Sequence, residues 1–264
     1  MSNIPKIIHF FWDASRLSYL QYLTIVSFHK FNPDWEIIIH ECEEPQEEMT
    51  WDTNEQKLRY SGKDYYPNLK QLEYVKINKI NFKEIGFSED VSDVYKSDYV
   101  RWYMLSTMGG VWSDMDILYF KPMTEIKMPD DVKTVICSGD LKHLIGFLMA
   151  SPNNEFFKLL TNKTNFHFDP YDYQSIGSKL INFYENNIND VAFNLDYKIV
   201  YPFNHSLTNK IFYDTDLSLI TDETIGVHWF NGCNLAKEFT NDFTEESEIN
   251  NVITLLINKY NILK

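Results

Sequence analysis

The first forty residues carry the pattern that most restricts the fold of this chain. A short apolar run over Lys6–Phe11 precedes helical spacing over Leu17–Lys30 and a second apolar run over Trp35–His40. The pair Asn32-Pro33 ends the helix before the second run begins. A strand, a helix and a strand in this order predict a parallel pair of strands at the centre of an α/β sheet.

The rest of the chain continues this alternation. A helix is predicted over Val91–Met108, and Gly109-Gly110 stops it before a strand over Val111–Ser113. The spacing of apolar residues in 69–80 predicts another helix, and the stretch 196–230 is typical of strands and loops. Further strands are predicted over Ile117–Phe120, Val132–Cys137 and Ile145–Ala150, and further helices over Glu155–Leu160 and Ser175–Asn186. We therefore predict one domain over 1–264, with a helical insertion around 43–86 and an amphipathic helix around 245–263.

Composition excludes several classes of protein. Hydrophobic residues make up 44% of the 264 residues, enough for a sizeable core and too many for a disordered chain. The formal net charge of −14 disfavours nucleic acid and anionic lipid as partners. The three cysteines, Cys42, Cys137 and Cys233, form no CxxC pair, which predicts buried thiols in a reducing compartment. Because no signal peptide or 18-residue apolar span is present, we expect a cytoplasmic protein without a transmembrane segment.

The most informative segment follows the Gly-Gly turn, where Asp114 and Asp116 stand one residue apart. Residues i and i+2 of a strand point the same way, so both carboxylates are expected to face one cleft at the carboxyl end of a strand. Open α/β sheets bind ligands at that edge. Two carboxylates without a nearby imidazole or thiolate in the sequence suit Mn²⁺ or Mg²⁺, which also bind substrate phosphate oxygens.

Asp98 and Arg101 lie three residues apart on the predicted helix and therefore share a face. Taken alone, they are most simply a surface ion pair worth less than about 1 kcal/mol. The functional alternative assigns Arg101 to a phosphate or sugar oxygen and Asp98 to sugar hydroxyls.

Three blocks of sequence, in the same order, resemble glycosyltransferase family 32. The first is IPKIIHFFWD, the second is SDYVRW…GGVWSDMDILYFKP, which resembles the DXD sugar-binding region, and the third is GVHWFNGC. That family includes fungal outer-chain mannosyltransferases and bacterial capsular polysaccharide enzymes. The glucosyltransferase domains of large clostridial toxins are similar at a greater distance.

The resemblance implies a GT-A fold, which is a nucleotide-binding α/β sandwich around a mixed, mainly parallel sheet. It also implies transfer with retention of anomeric configuration. Phe11 and Trp12 would lie at the nucleotide, with Trp12 stacked on the base, and Trp112 would line the donor pocket.

The resemblance implies further roles for charged residues. Asp98 and Arg101 would hold the donor sugar and diphosphate. Asp116 would ligate the metal directly, while Asp114 would contact ribose, sugar, the metal or a metal-bound water. His228 would be a metal or diphosphate ligand from a C-terminal loop.

Two departures from the family pattern stand out. The family's Gly-Ser-Trp reads Gly232-Cys233-Asn234 here, so the hydroxyl and the indole that close over the diphosphate are missing, and Trp229 or Phe230 is a candidate substitute. An Asn that related enzymes place near Ile145 is also absent. Tyr171 and Tyr173 are candidates for an acceptor platform, and Gly177-Ser178 resembles a loop on the acceptor side.

These observations predict a retaining, metal-dependent hexosyltransferase that uses a UDP-sugar or GDP-mannose, with a UDP-sugar favoured. A glycan, glycolipid or protein would be the acceptor. Two alternatives stay open: a degenerate carbohydrate- or nucleotide-binding module without catalysis, and a metal-dependent hydrolase of nucleotide sugars or phosphodiesters.

Overall fold

The computed structural model of the protein describes residues 3–43, 60–139, 143–188 and 192–263. Within these residues there are nine strands and eight α-helices. The strands are β1 (Ile7–Phe11), β2 (Glu36–Cys42), β3 (Val75–Ile80), β4 (Gly110–Ser113), β5 (Ile117–Tyr119), β6 (Thr134–Ser138), β7 (His143–Ala150), β8 (Ala192–Asp196) and β9 (Gly226–His228). The helices are α1 (Tyr19–Phe31), α2 (Tyr66–Leu69), α3 (Asp93–Thr107), α4 (Glu155–His167), α5 (Ser178–Phe183), α6 (Thr208–Tyr213), α7 (Asn234–Asp242) and α8 (Val252–Lys259).

Seven strands form one sheet in the order β3-β2-β1-β4-β7-β6-β8. Neighbouring strands are parallel, except that β7 runs antiparallel to both β4 and β6. The remaining two strands, β5 and β9, form a separate antiparallel ribbon. The predicted α/β architecture with a central mixed, mainly parallel sheet is therefore confirmed.

The predicted strand–helix–strand opening is confirmed as β1, α1 and β2, with β1 and β2 parallel. Helix α1 begins with a capping box, in which the Ser18 hydroxyl accepts the N–H of Gln21 and the Gln21 side chain accepts the N–H of Ser18. At the other end, the buried Asn32 side chain accepts the N–H of Met123 at 2.8 Å. The helix is thus fixed to the chain that leaves β5.

The Gly-Gly turn after α3 needs glycine at both positions. Gly109 and Gly110 have φ values of 68° and 91°, in the left-handed region that strains other residues. A Cβ on Gly110 would lie 2.5 Å from the carbonyl oxygen of Ile7, and one on Gly109 would lie 2.6 Å from that of Ala150. The two glycines therefore let the backbone at the start of β4 pack closely against β1 and the end of β7.

Helices cover both faces of the sheet. Alternate residues of β7 show this, because Phe147 and Met149 pack into the cluster that contains Ile25 and Phe28 of α1. Leu148 and Ala150 pack into the opposite cluster, with residues of α3, α4 and α5. The sheet is buried on both sides, and its carboxyl edge is the place left for a site.

A third cluster buries the β5–β9 ribbon under the C-terminal helices. The amphipathic tail predicted as a helix around 245–263 contains the shorter helix α8, which buries Val252, Ile253, Leu256 and Ile257. The longest described helix, α3, has 15 residues. None of the helices in the described residues is long and apolar enough to cross a membrane.

The structure corrects one predicted element and adds two helices. The helix predicted from Leu69 to Ile80 is wrong, because most of that stretch is the edge strand β3, paired in parallel with β2. Two helices were not predicted, since α6 and α7 lie in regions assigned to strands and loops or left unassigned. Residues 44–59 of the predicted helical insertion lie outside the described residues, and the single domain stays a prediction.

His9 is a core histidine with both ring nitrogens in contact with partners. It is fully buried, and its ring nitrogens lie 2.9 Å from the Gly109 carbonyl oxygen and 3.0 Å from His40 Nε2. The amide nitrogen of the Asn78 side chain lies 3.0 Å from the other His40 nitrogen. All three cysteines are free thiols, with Cys42 and Cys137 buried as predicted and Cys233 half-buried.

We expect Gly110→Ala to lower the free energy of unfolding by about 2–4 kcal/mol, because it adds left-handed strain and a clash with Ile7. Chemical denaturation measures this. Gly139→Ala is the matched control, because its Cβ would meet nothing closer than 3.8 Å. Equal loss of stability in the two variants would contradict this account of the turn.

Candidate active site

A cavity of about 360 Å³ lies at the carboxyl edge of the sheet. It is bounded by the ends of β1 and β4, by α3, by the loop before α5 and by the loop that leads into α7. Seven of the eight site residues predicted from sequence line it: Phe11, Trp12, Asp98, Arg101, Trp112, Asp114 and Asp116. The eighth, His228, contacts the two aspartates of the turn. Segments far apart in sequence therefore converge on one cavity.

The two carboxylates of the DXD motif lie in the turn between β4 and β5, and the prediction that they continue a strand is wrong. They nevertheless face the same side. The N–H of Asp114 donates to the Gly146 carbonyl oxygen at 2.8 Å, which fixes the start of the turn to β7. Ile117 pairs with His228 in the β5–β9 ribbon, so the ribbon brings His228 beside Asp116.

Asp114, Asp116 and His228 form a group that fits a divalent cation. One potential ligand atom from each lies within 4.8 Å of the others, and His228 Nε2 lies 3.0 Å from Asp116 Oδ1. Neighbouring ligands of an octahedral Mg²⁺ or Mn²⁺ are also about 3 Å apart. Asp116 Oδ2 accepts the N–H of Asn231 at 2.7 Å, whereas buried Oδ1 faces His228 Nε2. A divalent cation held by this group would displace the proton of His228, because a metal ligand must be a neutral imidazole.

Arg101 is a buried bridge between two aspartates. Its Nη1 donates to Asp98 Oδ1 at 2.6 Å, and its Nη2 donates to Asp114 Oδ1 at 3.0 Å. The same Asp114 oxygen accepts the indole N–H of Trp112 at 3.0 Å. The guanidinium carbon lies 5.0 Å from the centre of the Trp112 ring. The interpretation of Asp98 and Arg101 as a surface ion pair is therefore wrong, and both terminal nitrogens of Arg101 orient carboxylates.

Burial and neighbouring charges set the ionisation of this group. Burial raises the pKa of Asp98 to about 6, with Arg101 opposing the shift and Asp114 adding to it. Burial also disfavours the charge of Asp114, yet Arg101 and His228 hold its pKa well below the usual range. Burial disfavours the charge of His228 as well, but Asp116 and Asp114 raise its pKa to about 9. The site therefore holds its charges as compensated pairs at neutral pH.

Two glycines make room for the aspartates, and their role was not predicted. A Cβ on Gly146 would lie 2.5 Å from Asp114 Oδ2, and one on Gly177 would lie 2.6 Å from Asp98 Oδ2. Gly177 thus contacts the predicted donor side of the cavity. A carboxylate packed against a glycine backbone produces no periodic pattern of apolar or polar residues. The glycine is therefore the one sign of this contact in the sequence.

Aromatic residues around the site separate into lining and supporting groups. Tyr173 lines the cavity, whereas the side chain of Tyr171 is 97% exposed. Tyr201 was not predicted, yet it is buried with its ring 4.7 Å from that of His228. Trp229 is fully buried in the third cluster and faces away from the cavity lining. The predicted substitution of Trp229 for the missing indole is therefore not supported by its position.

Comparison with solved structures identifies the fold. Two structures of the glycosyltransferase GlyE of Streptococcus pneumoniae TIGR4 match at TM-scores of 0.51 and 0.50, with 10% identity, over 99% of this chain and 61% of that chain. A structure titled PaToxG Glycosyltransferase matches at a TM-score of 0.49, with 14% identity, over 69% of each chain. The chain has a GT-A-type fold, as predicted, and it spans 61% of GlyE.

Comparison of the sequence with protein families gives a match that includes four of the site residues. The family model described as "Glycosyltransferase sugar-binding region containing DXD motif" matches residues 19–133, less than half of the chain. The matched stretch contains Asp98, Arg101, Asp114 and Asp116. A search of curated proteins finds no match. The family model and the fold together support a transferase that acts on sugars.

We expect Arg101→Met to lower the free energy of unfolding by about 3–5 kcal/mol, because it leaves Asp98 and Asp114 buried without their counter-charge. Chemical denaturation at pH 7 measures the loss. The double variant Arg101→Met with Asp98→Asn should recover part of it, since one buried charge is removed. A single variant as stable as the wild type would contradict the bridging role.

Proposed function

We propose that this protein is a retaining glycosyltransferase of the family 32 type, which moves a hexose from a nucleotide sugar to a hydroxyl acceptor with the help of a divalent cation. The observation that carries the proposal is the convergence of Asp114, Asp116 and His228 at a cavity that Trp12, Asp98 and Arg101 also line. The match of 19–133 to a DXD-containing sugar-binding region supports it.

The donor would lie along the carboxyl edge of the sheet. Trp12 follows β1, lines the cavity and is held by a bond from its indole N–H to the Ser15 carbonyl oxygen at 3.0 Å. Such a half-buried indole suits stacking on a nucleobase. Asp98 would accept hydrogen bonds from sugar hydroxyls, since its second oxygen is not used by Arg101. We favour a UDP-sugar, with GDP-mannose as the alternative.

The residues would act mainly by positioning and electrostatics. When bound, Mn²⁺ or Mg²⁺ would neutralise the diphosphate leaving group as the glycosidic bond breaks. Asp114, Asp116 and His228 would hold that cation, and Arg101 would keep Asp98 and Asp114 aligned. The acceptor hydroxyl would attack from the face that the diphosphate leaves, and the leaving phosphate oxygen would take its proton. The sugar would then keep its anomeric configuration.

The acceptor would enter from the side of Tyr173 and Gln174, which line the cavity from the loop before α5. A glycan, a glycolipid or a protein hydroxyl fits this proposal. The three free cysteines support the predicted reducing, cytoplasmic location.

One observation favours a second candidate, a module that binds nucleotide sugars without turnover. Gly232-Cys233-Asn234 lacks the hydroxyl and indole of the family pattern, and Trp229 is buried elsewhere. The hydrolase alternative is weaker, because two-metal hydrolases need more ligands. Among the described residues, Asp114, Asp116 and His228 form the group of suitable ligands.

We expect purified protein with Mn²⁺ to release nucleotide from one of a panel of UDP- and GDP-sugars, and Asp116→Asn to reduce the rate at least about 100-fold. EDTA should abolish the wild-type rate. Asp222→Asn, on an exposed turn, is a matched control that should keep full rate. Nucleotide and metal binding without turnover of any donor would favour the binding module instead.

We expect Trp12→Ala to raise the Michaelis constant for the donor about 5- to 100-fold, because base stacking on an aromatic residue contributes about 1–3 kcal/mol. Trp12→Phe should retain most of the affinity. Steady-state kinetics with varied donor separates this effect from a change in kcat. An unchanged Michaelis constant for the donor in Trp12→Ala would show that the nucleobase does not stack on Trp12.

A further inference from the structure

Gly177, in the loop before α5, marks a place beside the cavity where the side chains of three other residues converge. A Cβ on Gly177 would lie 2.6 Å from Asp98 Oδ2, 3.1 Å from Ile145 Cδ1 and 3.2 Å from Gln174 Oε1. Asp98, Ile145 and Gln174 all line the cavity. A carboxylate, an apolar side chain and a primary amide therefore meet at one point of its wall.

Hydrogen bonds from Ser178 fix the orientation of the Gln174 amide. The N–H and the hydroxyl of Ser178 both donate to Gln174 Oε1, at 3.3 and 2.8 Å. A backbone N–H can only donate, so the atom that it contacts must be the oxygen of the amide. Among the described residues, none accepts a hydrogen bond from Gln174 Nε2. Gln174 therefore offers two N–H donors to a molecule in the cavity.

The loop that carries Gln174 is itself fixed to the core. The indole N–H of the fully buried Trp102, on α3, donates to the Ile176 carbonyl oxygen at 2.8 Å. The Gln174 carbonyl oxygen accepts the N–H of Gly177 and the N–H of Lys179, each at 3.2 Å. The backbone of this loop is thus held both to α3 and to the start of α5, and the amide of Gln174 is presented from a fixed position.

A hydrogen-bond acceptor and a donor side by side suit two neighbouring hydroxyls of a sugar. Asp98 Oδ1 is held by Arg101 at 2.6 Å, which leaves Oδ2 to accept the proton of one hydroxyl. The oxygen of the adjacent hydroxyl can accept an N–H from Gln174, because a hydroxyl both donates and accepts. Ile145 adds an apolar neighbour for the C–H groups of the sugar ring. A phosphate fits this place poorly, since the carboxylate of Asp98 repels it.

We infer that Gln174 determines which hexose the site accepts, by donating a hydrogen bond to the hydroxyl of the donor sugar next to the one that Asp98 holds. This inference rests on the proposed function. A hexose with the opposite configuration at that hydroxyl would leave the amide without its acceptor, and a polar group left unpaired disfavours the wrong sugar. The amide would also stand beside Ile145, where the Asn of related enzymes is missing.

Calorimetry with two pairs of epimeric donors tests the inference in the absence of an acceptor. UDP-glucose, UDP-galactose, GDP-mannose, GDP-glucose, UDP and GDP are titrated with Mn²⁺ into wild type, Gln174→Met and Gln174→Glu. We expect Gln174→Met to weaken binding of the preferred nucleotide sugar about 3- to 10-fold, because one hydrogen bond is lost. The preference over its epimer should narrow by a similar factor, whereas the matching diphosphate should lose less than about 2-fold.

Two further variants sharpen the comparison. Gln174→Glu keeps the oxygen that Ser178 contacts but has no N–H, so it should weaken binding of the nucleotide sugar, relative to the diphosphate, at least as much as Gln174→Met. Gln71→Met, at an exposed glutamine after α2, is the control and should bind like the wild type.

Failure of this inference differs from failure of the proposed function. Equal affinities of wild type and Gln174→Met for the nucleotide sugar, or an unchanged preference between epimers, would overturn the role of Gln174 and leave the proposed function intact. Equal losses for the nucleotide sugar and the diphosphate would also overturn it, since the substitution would then have disturbed the cavity as a whole. If the wild type binds neither nucleotide sugars nor UDP or GDP, the proposed function fails and this inference fails with it.

Discussion

The buried bridge that Arg101 makes between Asp98 and Asp114 is the interaction on which the site depends. Two carboxylates beneath a cavity repel each other and are costly to bury, and the guanidinium offsets part of both penalties. It also sets geometry, because hydrogen bonds of 2.6 and 3.0 Å fix a residue of α3 relative to the turn after β4. The helix and the DXD turn are therefore joined through one side chain.

The spacing of apolar residues predicted much of the architecture correctly wherever it fitted one kind of secondary structure only. The opening β1–α1–β2 unit and the helix that ends at Gly109-Gly110 were predicted close to their observed bounds. The error over 69–80 has a physical cause. Val75 and Ile77 alternate with Lys76 and Asn78, as an exposed edge strand requires, but with Leu69 and Leu72 they also fit a helical period.

The residues predicted for the site lie together in the structure, but their contacts were not predicted. Acidic residues after a Gly-Gly turn, together with the family resemblance, identified Asp98, Arg101, Asp114, Asp116 and His228. The resemblance could not show that Arg101 orients carboxylates, since that depends on which atoms lie within 3 Å. Gly146 and Tyr201 were missed, because each contacts the site through tertiary proximity and lies in a sequence context without a motif.

The β5–β9 ribbon has a consequence for the order in which the site forms. Asp114 and Asp116 precede β5, whereas His228 ends β9, so the three groups meet only when a long loop of chain closes. A growing chain that has left the ribosome as far as β7 holds both aspartates, but it lacks the imidazole and the Asn231 amide that complete their surroundings. Such long-range pairing is slow to form. The three groups would thus come together late in folding, when the final third of the chain has packed against α1.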